Sequence, residues 1–169
     1  AIGQNAPSKE ILKIIIRLAN EEKTFRQPIY LFVICGKNEE LRTVLERSVR
    51  KKVASMPKLM VHLCGFLEEK EMAQIDRISS VWITKPGGAT CAELIETEKQ
   101  MLYLFAEHHP WEIPNTLYLK KLRLAEELSN KKSLYKQVCE RFHLAKHINS
   151  KKLPHSQWKD QVDSILNDD

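Results

Sequence analysis

The stretch Val81-Trp82-Ile83-Thr84-Lys85-Pro86-Gly87-Gly88-Ala89-Thr90-Cys91-Ala92-Glu93 decides the reading of this chain. Its first four residues are a short, β-prone apolar run, and its last ones suit a helix. A strand that turns through glycine into a helix is the building unit of a parallel α/β sheet. Gly87 and Gly88 let the backbone come close to a ligand, and the helix beyond them aims unpaired N–H groups and its positive dipole end at the same spot. That is a ready seat for a pyrophosphate, with Lys85 adding charge and the Thr90 hydroxyl another donor. A purely structural reading is equally good. Thr90-x-x-Glu93 has the form of a capping box that starts the helix near Thr90, and Pro-Gly-Gly is a common tight turn.

Outward from this unit the same alternation repeats. Residues 8–25 read as a helix, with Ile11, Leu12, Ile15, Ile16 and Leu18 on one side and Ser8 as its cap. Ile29 to Cys35 is a continuous apolar run, as in a strand covered on both faces, and Gly36 breaks it. Asn38 caps a helix that runs to about Val53. Leu59–Leu63 is the next strand; a Gly65-Phe66-Leu67 turn and a helix over Glu69–Ile78 follow. Met101–Phe105 is a further strand, and after the loop 106–114 the pattern is helical throughout, over 115–129, 132–147 and 155–167. The expectation is one domain over 1–169: an α/β, Rossmann-like parallel sheet of five βα steps flanked by helices, with a helical C-terminal tail. Ligands of such sheets bind outside the carboxyl ends of the strands, so loops 3–7, 36–38, 65–68, 85–90 and 106–115 should share one rim.

Composition narrows the function classes. Apolar residues make up 43% and charged residues 29%, which suits a globular chain rather than a disordered one. No apolar run approaches the roughly 20 residues of a membrane-spanning helix, and no secretory leader opens the chain, so a cytoplasmic setting is expected. Cys35, Cys64, Cys91 and Cys139 lie far apart, as buried thiols of a reducing compartment do. A net charge of +5 is compatible with phosphate-bearing ligands or anionic lipid, while the absence of aromatics within a basic cluster argues against nucleic acid. His143 and His147, with His155 nearby, have chelating spacing, but nothing completes a metal set at a telling distance; surface histidines are expected. His108 and His109 sit in the fifth loop, placed either to touch a ligand or simply to be solvated. The opening Gly3-Gln4-Asn5-Ala6-Pro7 looks like the end of a strand-to-helix turn, so the chain is expected to be part of a longer protein.

The signature Lys85-Pro86-Gly87-Gly88-x-Thr90-x-x-Glu93 resembles that of monogalactosyldiacylglycerol synthases and processive diacylglycerol glucosyltransferases. These are related to the N-acetylglucosaminyltransferase of peptidoglycan lipid precursors. Further similar motifs follow in the family's order. They are Val33-Ile34-Cys35-Gly36-Lys37-Asn38-Glu39-Glu40-Leu41, Cys64-Gly65-Phe66-Leu67-Glu68, and Glu112-x-x-Asn115; the likeness runs to about residue 118.

The resemblance implies the C-terminal, donor-binding half of a two-domain GT-B glycosyltransferase, whose N-terminal domain binds the acceptor and carries the catalytic base. It implies a UDP-sugar donor, an inverting hexosyl transfer to a lipid-like acceptor at the inner face of the cell membrane, and no metal or other cofactor. This half alone is expected to be inactive. By the same likeness Phe66 and Leu67 would border the uracil, Gly87, Gly88 and Thr90 would hold the diphosphate, and Glu93 would accept from the ribose hydroxyls. Glu112 would contact donor-sugar hydroxyls and Asn115 would shape the loop that presents them. Read as structure alone, Phe66 is a core plug, Glu112 a solvated loop charge, and Asn115 a helix cap.

The chain departs from the pattern where Glu98-Lys99-Gln100 replaces a Gly-x-Pro, and where Trp111 replaces a sugar-reading Gln. An indole with one donor reads a sugar differently from an amide. Two other readings stand beside the transferase: a UDP-sugar 2-epimerase, and a nucleotide-sugar-binding module or subunit without chemistry of its own.

Overall fold

Strands and helices alternate because runs of two-sided apolar residues alternate with one-sided ones. In the computed structural model, which describes residues 8–97, 99–103, 110 and 112–148, the elements follow the chain as α1 (Ser8–Glu21), β1 (Ile29–Ile34), α2 (Glu39–Lys52), β2 (Leu59–Cys64), α3 (Glu69–Ile78), β3 (Val81–Thr84), α4 (Gly88–Thr97), β4 (Gln100–Tyr103), α5 (Glu112–Lys121), β5 (Ala125–Glu127) and α6 (Leu134–Ile148). The strands form two parallel ladders, β1–β2 and β3–β4–β5. Ile29 faces Leu59, Val81 faces Gln100, and Met101 faces Ala125.

Period-two alternation sends successive side chains of each strand to opposite faces. Leu31 and Val33 of β1, Ile83 of β3 and Leu102 of β4 join one cluster, roofed by Ile11, Ile14, Ile15 and Leu18 of α1, Leu41 and Leu45 of α2, and Leu134 of α6. Phe32 and Ile34, Trp82, and Met101 and Tyr103 join the other, covered by Ile75 of α3, Cys91 and Leu94 of α4, and Leu119 of α5. Both ladders feed both clusters, so they stand in one layer between two layers of helices. Each large side chain buried there contributes about 1.5–3 kcal/mol.

Among the described residues the strand orders are β1–β2 and β3–β4–β5. α1, α2 and α6 pack on one face of this layer and α3, α4 and α5 on the other.

Several sequence expectations shift. The first helix ends at Glu21 and tightens into a 3-10 turn over Glu22–Thr24. Its buried stripe is Ile11, Ile14, Ile15, Leu18 and Ala19, the spacing of a single helix face, while Leu12 and Ile16 are only half-buried. Ser8 is the first helical residue. The helix expected over 115–129 is replaced by α5, a turn in which Arg123 adopts φ 60°, and β5. Ala125-Glu126-Glu127 favour helix intrinsically, but pairing with β4 overrides that weak preference. Leu104, Phe105 and the helix expected over 155–167 lie outside the described residues.

The two ends of the helical layer are clasped together. Glu21 at the end of α1 accepts from the Ser133 hydroxyl at 2.5 Å and from the N–H groups of Leu134 (3.0 Å) and Tyr135 (2.9 Å), so it caps α6 from another element. Arg17 donates to the carbonyls of Ser129 and Lys132, both at 2.9 Å. Burial pushes the Glu21 carboxyl up, but the Ser133, Tyr135 and Leu134 donors outweigh it and hold the group below the ordinary carboxylate value.

Candidate functional site

Of the helices that follow a strand at its carboxyl end, α2 and α3 are closed by their own side chains. At α2, Asn38 Oδ1 accepts from Leu41 N–H at 2.9 Å. At α3, Glu68 and Glu71 form a reciprocal capping box. At α4 the closure is missing among the described residues. Gly87 N–H donates to Lys85 O at 2.9 Å across Pro86, a three-residue turn that suits proline's fixed φ. The Gly87 carbonyl then accepts from Cys91 N–H at 2.9 Å, which makes Gly87 the cap position of a helix that starts at Gly88. The helix thus begins two residues before the expected Thr90. Thr90 is its third residue, which overturns the capping-box reading of Thr90-x-x-Glu93: the box needs its threonine one position ahead of the helix.

Gly87 brings no side chain to the cap, so the N–H groups of Gly88, Ala89 and Thr90 face the rim with the dipole behind them. A Cβ added at Gly87 or Gly88 meets nothing within 4 Å, and neither glycine has positive φ. Packing and backbone conformation leave both positions free to carry a side chain. Gly36 is the contrast: at φ 60° after β1 it occupies the left-handed region that favours glycine.

α5 supports this turn. Asn115 Nδ2 donates to Pro86 O at 3.0 Å and so fixes the loop. Asn115 is the fourth residue of α5, which rules out its reading as a helix cap. Glu112, the first residue of α5, is only 7% exposed, which overturns its reading as a solvated charge. Among the described residues no hydrogen bond reaches its carboxylate. Glu112 acts electrostatically on Cys91 in α4, so this carboxylate lies close to the first turn of that helix. Burial first, and then the Glu112 charge, push the Cys91 thiol up to about 11. Burial, followed by Cys35 and Glu71, does the same for Cys64. These thiols stay protonated near neutrality and offer no thiolate nucleophile.

Phe66 is 53% exposed, which overturns its reading as a core plug. The Lys37 ammonium sits 4.7 Å from its ring centroid, so loops after β1 and β2 meet through a cation–π contact. Lys37 was not singled out in the sequence, although the Gly36-Lys37-Asn38 turn places it on the rim. Leu67 turns inward and packs against the second cluster. Lys85 and Thr90 are half-buried and Glu93 is exposed on α4. Trp111, the loop 3–7, and His108 and His109 lie outside the described residues.

Lys99 and Gln100, within the departure at residues 98–100, serve the fold. Lys99 is 9% exposed, and its ammonium donates to the carbonyls of Asp76, Arg77 (3.3 Å) and Ser79 (2.6 Å) at the end of α3. Gln100 is fully buried, and its Oε1 lies 3.4 Å from Arg141 Nη1.

All four cysteines are free, and no group of three or more metal-ligating side chains occurs among the described residues. Nor is any helix among them long and apolar enough to cross a membrane. No known protein family, curated protein or solved structure matches the chain.

Proposed function

We propose that this chain is the donor-binding half of a two-domain glycosyltransferase that moves a hexose from a UDP-sugar to a lipid-like acceptor. The observation that carries the reading is the open tip of α4. It combines N–H groups that find no acceptor among the described residues, and two glycines the fold does not require, with a loop pinned by Asn115 and the mostly buried Glu112, whose carboxylate accepts no hydrogen bond among the described residues.

The diphosphate would sit on the N–H groups of Gly88, Ala89 and Thr90, with Lys85 contributing charge. As the sugar leaves, negative charge grows on the departing UDP, and fixed dipoles stabilise it without reorganising. Glu93 is exposed one turn further on, available to ribose hydroxyls, and exposed Phe66 offers a face for the base. Glu112, close enough to α4 to act electrostatically on Cys91, would accept from hydroxyls of the donor sugar, with Trp111 beside it in sequence. The acceptor groove and catalytic base would belong to a separate N-terminal domain, so this half binds donor without transferring it. The exposed Ile113, Leu117, Tyr118 and Leu122, near Lys120 and Lys121, suit work at the inner face of a membrane.

Calorimetry against UDP, UDP-glucose, UDP-galactose and UDP-N-acetylglucosamine tests this reading, with amide chemical shifts followed alongside. Saturable binding with shifts centred on Gly87, Gly88 and Glu93 is expected. Shifts confined to other parts of the chain, or no binding at millimolar UDP, would refute it.

A further inference from the structure

A backbone bond from Cys35 N–H to Cys64 O, at 2.8 Å, carries the β1–β2 ladder up to the rim. Lys37 follows Cys35 across Gly36, and Phe66 follows Cys64 across Gly65. Both loops are tied down on either side of these residues. Asn38 N–H donates to Cys35 O at 3.3 Å and closes a turn around Gly36, held at φ 60°, and the Asn38 side chain then caps α2. On the other loop, Leu67 packs into the second cluster and Glu68 closes α3. What is left to move is the flexible four-carbon stem of Lys37.

Each member of this pair has a better partner of another kind. The Lys37 ammonium stands 4.7 Å from the centroid of a ring that is 53% exposed, and a cation–π contact in such a setting is weak. A planar base stacked on the same ring removes more apolar surface from water. Among the described residues no carboxylate pairs with Lys37; its neighbour Glu39 is engaged by Arg42 at 2.9 Å. An ammonium pairs more strongly with a phosphate oxygen than with a phenyl face. A nucleotide carries both of the stronger partners in one molecule.

We propose that Lys37 is a phosphate-binding residue of the nucleotide-sugar site, held on the Phe66 ring until a base displaces it. The inference rests on the donor-binding reading above. The base takes the ring face, and the released ammonium pairs with the diphosphate, adding its charge to that of Lys85 and the N–H groups of α4. Recognition of base and phosphate is thereby coupled through one side chain. A nucleoside alone displaces the cation and gives it no acceptor in return. Only the nucleotide completes the exchange.

NMR of the unaltered chain is the first test. The ε-methylene protons of Lys37 should be shifted upfield by the Phe66 ring, and both Phe66→Leu and saturating UDP should abolish that shift. Calorimetry is the second. Lys37→Ala is expected to weaken UDP binding at least about fivefold and to flatten its dependence on salt. Uridine affinity, followed by amide shifts, should stay the same or rise. A ring-shifted Lys37 at saturating UDP would overturn the proposal, as would a Lys37→Ala variant that binds UDP like the parent. Equal losses for uridine and UDP would overturn it too, since the lysine would then only shape the base pocket. Where the parent chain binds UDP, any of these results removes this role of Lys37 and leaves the donor-binding reading standing. A parent chain that does not bind UDP removes both.

Discussion

The end of α3 and the beginning of α4 pose the same physical problem, because each exposes backbone groups that the helix itself leaves unpaired. At α3 the chain spends a buried lysine on it: Lys99 reaches from the start of β4 to three terminal carbonyls. At α4, among the described residues, it spends nothing, and the residue at the cap position is a glycine with open space around it. One end is sealed by an expensive side chain, although a lysine is among the residues least often buried. The other is left as a set of aligned donors. The sealed end serves the fold, and the open end is where a ligand can supply the missing acceptors.

The sharpest way to break this contrast is Lys99→Met. It keeps the volume and strands the carbonyls, and should cost about 2–3 kcal/mol in urea denaturation while leaving UDP affinity of the folded protein unchanged. A cost within about 0.5 kcal/mol would mean that the sealed end is not a stabilising feature. Gly88→Val is the complementary change. Because its Cβ meets nothing in the protein, stability should stay within about 0.5 kcal/mol, while UDP affinity by calorimetry falls at least about tenfold, near 1.4 kcal/mol. Equal losses in both measurements would show the glycine to be structural. Asn115→Ala, which frees Pro86 O, is expected to cost about 1 kcal/mol and to weaken UDP binding several-fold through a looser turn.

The smallest effect is in pH. Cys64 and Cys91, each held near 11 against an ordinary 9.0, favour the protonated thiol in the folded state. Their contribution is complete below about pH 9 and is lost as pH rises towards 11. Denaturation midpoints should fall across that window, and the Cys64→Ala, Cys91→Ala double variant should show a flatter profile.

Much of this was legible in the chain before its fold was known. The two-sided apolar run ending at Gly36, the Asn38 cap and the helix over Glu69–Ile78 all read correctly, because local propensity and tertiary demand agree there. They disagree at Ala125-Glu126-Glu127, three helix formers recruited as an edge strand by β4. At α4 a genuine pattern misled: Thr90-x-x-Glu93 fits a capping box, yet the three-residue turn at Pro86 starts the helix two residues earlier. Ile14 was missed because Ile14-Ile15-Ile16 offers no polar residue to fix the phase of the helix. In the candidate site, the glycines, Asn115 and Glu112 were singled out from spacing and likeness. The burial of Glu112 and the meeting of Lys37 with Phe66 were not, since both depend on how separate βα units pack side by side.

The clasp between α1 and α6 sets a timetable. Glu21 meets Ser133, Leu134 and Tyr135 across 112 to 114 residues of chain. Closing a loop that long costs about 4 kcal/mol of chain entropy before any contact repays it, whereas each βα step closes over a few dozen residues. The inner ladders should therefore assemble first and the clasp shut last. Weakening Glu21 would then chiefly hasten unfolding and leave the rate of folding almost untouched.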